Sequence, residues 1–363
     1  MEEEEVRRII QHLDQCFFLE GEKFDQERRR IIREFLDSPV RPASHSGTTY
    51  EQKPDALRSQ LEELFSQRGG PGLPRTDAPS GRMKALMAPH IDLKRGGLCY
   101  AWSYADLARH SDADTYVILG ICHNPTERRF VLTRKDFETP LGIVRTDTDL
   151  IDRVQSLCGR DFFADEFVHR NEHSIEFQVL FLQYLFGRRE RPIRIAPILC
   201  SSFQTWLDKL ALEGEEAPLI KKEVEEFLGA LSQALGERED RICLIAGVDL
   251  SHMGRRFGQE VTLSPDFVDN AKDQDRRMLQ TVLAQRSERF LGFIQEERDR
   301  RNVCGVPAIY SLLKLLELER DGDERRGCAS ALLRYDVALE DLTQSLVSYA
   351  GVAFYEQRAD EPV

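Results

Sequence analysis

Four features that would place this 363-residue chain in a familiar class are missing from it. Its apolar runs, such as residues 242–248, are far shorter than the ~20 residues that a membrane helix needs, so we expect no membrane span. The nearest two of its eight cysteines, Cys99 and Cys122, are 23 positions apart, which excludes a zinc knuckle built on CxxC pairs. A Gly-rich phosphate loop and a G-x-S-x-G elbow are also missing, which argues against nucleotide hydrolysis and α/β-hydrolase chemistry.

Positive charge is in short supply as well. The chain has 50 Lys and Arg residues against 63 Asp and Glu residues, a net charge of −13. Such a chain repels phosphate backbones and anionic lipid, so we expect neither a nucleic-acid nor a membrane partner. The start, Met followed by four Glu, is the reverse of a secretory signal. We therefore expect a cytoplasmic protein with free thiols.

Composition changes along the chain predict two parts. Residues 1–46 contain two charged helical stretches with a thin apolar stripe, followed by a linker rich in Pro and Ser at residues 39–49. We predict a helical N-terminal extension, packed as an arm on the main body rather than recruiting a partner. Residues 47–363 have the apolar content of one large domain.

The second part alternates short apolar runs with helical periodicity, which predicts an α/β fold with a mostly parallel central sheet flanked by helices. The predicted strands are at residues 83–88, 115–120, 193–199, 242–248, 329–337 and 348–354. The predicted helices, including the two of the extension, are at residues 2–15, 25–36, 54–65, 101–110, 149–158, 174–186, 220–235, 265–284, 288–298 and 306–316.

Three histidines follow predicted strands. His90, His123 and His252 come immediately or soon after the strands that begin at residues 83, 115 and 242. The carboxyl ends of strands in an open α/β sheet border the ligand crevice, so these imidazoles can converge on a metal ion. The alternative for each is a histidine that only hydrogen-bonds the backbone.

Two more residues are candidates because of where they stand relative to helices. His173 lies at the entry of a helix, where the helix dipole favours the neutral imidazole that accepts a proton or binds metal. The alternative is that Asn171 or Ser174 caps this helix and His173 fills space. Cys304 lies in a turn before a helix, a position that stabilises a thiolate and suits a soft ligand or a nucleophile.

Six ordered segments of the chain resemble motifs of the Memo family, which in bacteria and archaea is called AmmeMemoRadiSam system protein B. The resemblance covers residues 47–363, and the first 46 residues look like an extension found in bacterial members. The segments are APHID (88–92), LGICH (119–123), EHSIE (172–176), DLSHMGRRFG (249–258), VCG (303–305) and VSYA (347–350).

The resemblance implies a fold similar to the class III extradiol dioxygenases, which use non-haem Fe(II). Family ligands match His90, His123 and Cys304, and a further active-site histidine matches His252. In Memo proteins that cysteine replaces the glutamate of the dioxygenase triad, and a thiolate shifts the preference toward copper or zinc as well as iron. A second departure is Ile91 and Asp92, where many members carry a small residue and Gly after the histidine. Asp92 either orients His90 or faces solvent.

These observations give three hypotheses. The first is a metal-dependent oxidoreductase in which His90, His123 and Cys304 hold iron or copper, while His252 and His173 act in catalysis. The second is a module that binds a small molecule or peptide in the same cleft without turnover. The third is a hydrolase that uses zinc. The family name also implies a partnership with a radical SAM protein.

Overall fold

The computed structural model describes residues 3–74, 79–187, 192–207, 216–238, 241–322 and 328–356, which fold into helices on both faces of one sheet. The α-helices are α1 Glu3–Gln15, α2 Glu22–Asp37, α3 Pro54–Ser66, α4 Leu93–His110, α5 Thr148–Leu157, α6 His173–Phe186, α7 Gln204–Leu207, α8 Glu216–Gly236, α9 Pro265–Leu283, α10 Ser287–Glu297 and α11 Val306–Gly322. The strands are β1 Val40–Arg41, β2 Met83–Ala88, β3 Thr115–Ile121, β4 Phe130–Leu132, β5 Asp136–Thr139, β6 Gly142–Thr146, β7 Arg194–Cys200, β8 Ile242–Gly247, β9 His252–Gly254, β10 Cys328–Glu340 and β11 Ser345–Glu356.

The strands of the described residues form one 11-stranded sheet in the order β1-β5-β6-β7-β3-β8-β2-β11-β10, with β4 paired to β7 and β9 to β11. The strands from β6 to β2 in this order run parallel, and the long β10–β11 hairpin closes one edge antiparallel. The predicted α/β class with a mostly parallel sheet is confirmed. None of the described helices is long and apolar enough to cross a membrane.

Alternation along the central strands builds a core on each face of the sheet. In β3, Val117 and Leu119 face the layer that contains α5, α8 and α11, while Tyr116 and Ile118 face the layer of α3, α4 and α6. All four side chains are fully buried. Because both faces are covered, the strand reads as a continuous apolar run, and for this reason all six predicted strands are found to within three residues.

One predicted helix begins eight residues too late. Helix α4 starts at Leu93 rather than at residue 101. The prediction missed its first eight residues because they include Gly96 and Gly97. A Cβ atom at Gly96 would lie 2.5 Å from Ile91 Cγ2, and one at Gly97 would lie 2.5 Å from Leu64 Cδ2. The two glycines therefore permit close packing of the helix, although glycine is otherwise typical of turns.

The segment predicted to be a linker is packed against the sheet. Strand β1 pairs in parallel with β5, and the side chain of Arg41 is fully buried. Helix α2 packs its Phe35 ring edge-on against Phe167 at a centroid distance of 5.7 Å, whereas α1 has no buried residue. The division at residue 46 stays a prediction.

Candidate metal centre

Three histidines meet at the carboxyl end of the parallel strands. His90 follows β2 and His123 follows β3, and the two strands flank β8 in the sheet. His173, the first residue of α6, completes the group, and the ligand nitrogens of the three lie within 4.8 Å of one another. The predicted convergence of His90 and His123 is therefore found. Such a set of imidazoles can hold a metal ion, and it suits zinc, copper or iron.

Each imidazole of this group has an oxygen atom near Nδ1. His90 Nδ1 donates to the carbonyl of Gly247 over 2.9 Å. His123 Nδ1 lies 3.0 Å from a carboxylate oxygen of Glu172, and His173 Nδ1 lies 3.3 Å from the other oxygen of the same carboxylate. An acceptor at Nδ1 fixes the ring and leaves Nε2 as the metal-binding atom, the usual arrangement around ligand histidines.

Glu172 organises the entrance of helix α6 as well as the histidines. Its carboxylate caps the helix by accepting from the backbone N–H groups of His173 and Ser174 over 2.8 and 3.0 Å, and it accepts from the backbone N–H of His123 over 3.1 Å. Burial alone would raise the pKa of Glu172, but the hydrogen bond from His123, the positive charges of His123 and His173 and the N–H of Ser174 together lower it. The predicted capping residues, Asn171 and Ser174, do not take this role.

Burial sets the protonation of the cluster. Desolvation lowers the pKa of His90 well below its usual value and brings the pKa of His173 to about 4, so both rings are neutral near pH 7. His123 is buried less, with 41% of its side chain exposed. Desolvation lowers its pKa too, but the hydrogen bond to Glu172 and the negative charges of Glu172 and Asp249 together outweigh desolvation, and the net pKa is raised. The cluster is thus reached from solvent at His123.

Cys304 lies beside this group. Its Sγ is 3.4 Å from His90 Nε2 and 3.7 Å from the carbonyl oxygen of Asp249. Burial raises the pKa of the Cys304 thiol well above its usual value, so the metal-free site holds a neutral thiol. Within the described ranges, the three-histidine group does not include Cys304. The assignment of Cys304 as a ligand stays a prediction.

His252 stands next to the cluster rather than inside it. Its Nδ1 donates to the carbonyl of Leu250 over 3.0 Å, and its ring packs edge-on against Phe257. Desolvation lowers the pKa of His252 to about 4, and the positive charge of His123 contributes to the shift. A neutral imidazole with its Nδ1 fixed can accept a proton at Nε2.

The carboxylate that supports His90 is Asp249, and not Asp92. Asp249 accepts from the backbone N–H groups of His90 and Ile91 over 3.0 and 3.2 Å, and burial raises its pKa to about 7. Asp92 instead caps helix α4 by accepting from the N–H of Arg95 over 3.1 Å. The spacing of the segment at residues 88–92 could not distinguish these roles.

A second hydrogen-bond network, which the sequence did not suggest, joins the segment predicted to be a linker to α6. Glu176 accepts from the side chains of Arg41, Ser44 and Tyr50, and its carboxylate lies 3.2 Å from His45 Nδ1. The His45 ring packs edge-on against the ring of His173 at 5.7 Å. A fourth imidazole, that of His45, thus borders the cluster. It was not a candidate because residues 39–49 were predicted to be a linker.

Comparison with known proteins agrees with this geometry. A family model described as "Memo-like protein" matches residues 41–353. A MEMO1 family protein of Aquifex aeolicus is 27% identical over 352 residues, which cover 97% of this chain and 83% of the relative.

Other relatives carry the same description. A MEMO1 family protein of Thermus thermophilus is 24% identical over 322 residues, 88% of this chain and 85% of the relative. One of Desulfurococcus amylolyticus is 31% identical over 210 residues, 57% of this chain and 67% of the relative. Since the family model spans most of the chain and includes every histidine of the cluster, this chain belongs to the Memo family.

Proposed function

We propose that this protein is a metal-dependent oxidoreductase whose ion is held by His90 and His123, with a third ligand from Cys304 or His173. The observation that carries the proposal is the convergence of three imidazoles whose ligand nitrogens lie within 4.8 Å of one another. A bound iron or copper ion would supply one-electron chemistry and Lewis acidity.

The residues around the cluster have the properties that such a centre needs. The thiol of Cys304, 3.4 Å from His90 Nε2, adds a soft donor that favours copper and iron over the hard ions magnesium and calcium. His252 is neutral near pH 7 and can accept or return a proton on a substrate. The exposed edge at His123 gives a small molecule access.

Elemental analysis of untagged protein, purified without chelators or metal-affinity resin, tests the first half of the proposal. We expect about one equivalent of iron or copper in the wild type, and none in His90→Ala. His110→Ala is the matched control, because His110 is a partly exposed histidine at the end of α4, away from the cluster. Protein that holds no metal and acquires none from Fe(II) or Cu(I) under anaerobic conditions would refute the proposal.

The third ligand is identified by comparing Cys304→Ser with His173→Ala. The variant that loses the ligand should bind the metal about 10–100-fold more weakly than the other. Exclusive retention of zinc would refute redox chemistry and favour the hydrolase hypothesis, because zinc has no redox activity.

Oxygen uptake with ascorbate as reductant tests the second part of the proposal, that the bound metal carries out redox chemistry. His252→Ala should lower the rate about 100-fold or more at unchanged metal content, the usual effect of removing a proton-transfer group. Unchanged uptake would exclude His252 from proton transfer.

A further inference from the structure

A buried ion pair lies directly behind the two segments that carry His252 and Cys304. Asp275 on α9 is fully buried, and Arg301, after α10, has 4% of its side chain exposed. Besides Arg301, three hydroxyl groups donate to the Asp275 carboxylate: Ser251 over 2.6 Å, Tyr335 over 2.8 Å and Ser348. Four donors satisfy both oxygens, so the carboxylate is held in one orientation.

The pair fixes the segment that leads into His252. Ser251 Oγ bonds both members, donating to Asp275 and accepting from Arg301 Nη1 over 2.9 Å. The backbone of Arg301 also bonds the residue after Ser251: the carbonyl of Arg301 accepts from the N–H of His252 over 2.7 Å. Asn302 donates from its side-chain amide to the carbonyl of His252 over 3.1 Å. Both backbone polar groups of His252 are therefore bonded to residues 301 and 302.

The same stretch of chain leads to the thiol. Cys304 follows Arg301 by three residues, and its Sγ contacts the carbonyl of Asp249, which lies on the His252 side of the pair. Asn302 has φ +48°, in the left-handed region, so the chain turns sharply between the ion pair and the thiol. The two segments are thus bridged at the ion pair and again at the thiol.

We propose that Asp275 and Arg301 are positioning residues, which set the separation of the His252 imidazole and the Cys304 thiol at the site. The proposal rests on the proposed function, since it assigns these residues to that metal centre. Neither residue touches the cluster, and each acts through the backbone of residues 249–252 and 301–304. Loss of the pair frees the two segments to move apart. This weakens a site that needs the His252 imidazole and the Cys304 thiol at a fixed separation.

A purely structural ion pair would behave differently, and the chain offers one for comparison. Asp147 has 2% of its surface exposed, and it accepts from Arg238 Nη2 over 2.8 Å and from Thr115 Oγ1 over 3.2 Å. Thr115 is the first residue of β3, whereas His123 follows its last residue. Asp147→Asn therefore changes an equally buried carboxylate, paired with an arginine whose side chain is 17% exposed, at the opposite end of the sheet.

Thiol alkylation of the metal-free protein tests the proposal without any bound ion. Iodoacetamide labelling is followed by mass spectrometry of the separate cysteine peptides, with Cys243, fully buried in β8, as the internal reference for global opening. We expect iodoacetamide to alkylate Cys304 about tenfold faster in Asp275→Asn than in the wild type, and the alkylation rate of Cys243 to be unchanged. Asp147→Asn should leave the Cys304 rate within about twofold of the wild type.

Arg301→Lys provides a second variant that keeps the buried charge and so keeps the fold. The single nitrogen of a lysine cannot occupy both the position of Nη1, which bonds Ser251 and Asp275, and that of Nη2, which bonds Glu297. We expect an intermediate increase in the Cys304 rate, and this variant decides the question if Asp275→Asn does not fold. Unchanged Cys304 rates in the folded variants, or an equal increase in Asp147→Asn, would overturn the proposal.

Metal affinity gives the second readout. Co(II) titration against a competing chelator should show binding about tenfold weaker in Asp275→Asn than in the wild type and unchanged in Asp147→Asn. Equal affinities in Asp275→Asn and the wild type would overturn the assignment to the metal centre. If the wild type binds no metal, the proposed function fails, whereas the alkylation rates still decide whether the pair positions His252 and Cys304.

Discussion

Arg41 and Glu176 form an ion pair in which neither side chain is exposed to solvent. The remaining guanidinium nitrogens of Arg41 donate to the carbonyls of His169 and Glu172 over 3.0 and 2.7 Å. Arg41 belongs to the edge strand β1, so one side chain ties the N-terminal part of the chain to the start of α6. That helix start carries Glu172 and His173, and the pair therefore supports the histidine cluster.

Arg41→Ala should lower the free energy of unfolding by about 3–5 kcal/mol, because it leaves the Glu176 carboxylate buried without its partner. Urea unfolding of the metal-free protein measures the loss. Arg153→Ala is the matched control, since Arg153 and Glu237 form a pair whose side chains are 44% and 41% exposed, and exposed pairs contribute about 0–1 kcal/mol. Equal losses in the two variants would contradict a dominant role for the buried pair.

Glu176 makes part of the stability depend on pH. Burial raises its pKa, but the hydrogen bond from His45 and the charge of Arg41 outweigh burial and lower it to about 2, against 4.5 for an unperturbed glutamate. The stabilisation is complete above pH 4.5 and is lost as the pH falls toward 2. Between pH 6 and pH 4, this group should cost the wild type about 1 kcal/mol of unfolding free energy.

Comparison with Glu176→Gln isolates this contribution. The variant is less stable at pH 6, but its unfolding free energy should fall by about 1 kcal/mol less than that of the wild type on going to pH 4. Urea titrations of both proteins at the two pH values give the double difference. Parallel losses would show that folding does not lower the pKa of Glu176.

The fold was predictable where strands are buried on both faces. Such strands are continuous apolar runs, and the class III extradiol dioxygenase-like fold that the family resemblance implied is confirmed. The small strands β4, β5 and β6 were not predicted, because they are three to five residues long. Polar side chains in this region are buried through hydrogen bonds, as where Asp136 accepts from the N–H of Thr146 over 2.9 Å. Apolar periodicity cannot reveal such a strand.

The site was predictable from topology only in part. His90 and His123 follow parallel strands that flank β8, and the position of both could be inferred because strand ends share one edge of the sheet. Glu172, Asp249 and Arg41 were missed because their roles depend on which backbone groups they face. Residue type and spacing do not carry that information, although Glu172 directly precedes His173 and Asp249 stands three residues before His252.

Glu172→Gln should weaken metal binding about 10–100-fold, because the acceptor of His123 Nδ1 loses its charge. The same substitution weakens a helix cap, because a neutral amide oxygen is a poorer acceptor than a carboxylate, at a cost of up to about 1 kcal/mol. Asp92→Asn separates the two effects, since Asp92 caps α4 without contacting a histidine of the cluster. Chelator competition with Zn(II) should give a weaker Glu172→Gln protein and an Asp92→Asn protein equal to the wild type; equal affinity in all three would exclude Glu172 from supporting the ligands.

Gly247 ends β8 where the sheet meets helix α6, and its carbonyl is the acceptor for His90 Nδ1. A Cβ atom there would lie 2.6 Å from the backbone oxygen of Ser174 and 2.9 Å from Gln178 Nε2. Gly247→Ala must therefore displace either the carbonyl or the first turn of α6, at a cost of about 1–3 kcal/mol.

The Gly247 carbonyl holds His90, and the first turn of α6 carries His173. Because Gly247→Ala displaces one of the two, it should weaken Zn(II) binding as well as lower stability. Gly229→Ala is the control, since Gly229 lies on the exposed side of α8 and a Cβ atom there meets nothing within 4 Å. That substitution should raise the unfolding free energy by up to about 1 kcal/mol, the helix preference of Ala over Gly, and leave Zn(II) affinity unchanged. A Gly247→Ala protein that binds Zn(II) like the wild type would mean that His90 keeps its orientation without this carbonyl, and that Asp249 alone positions it.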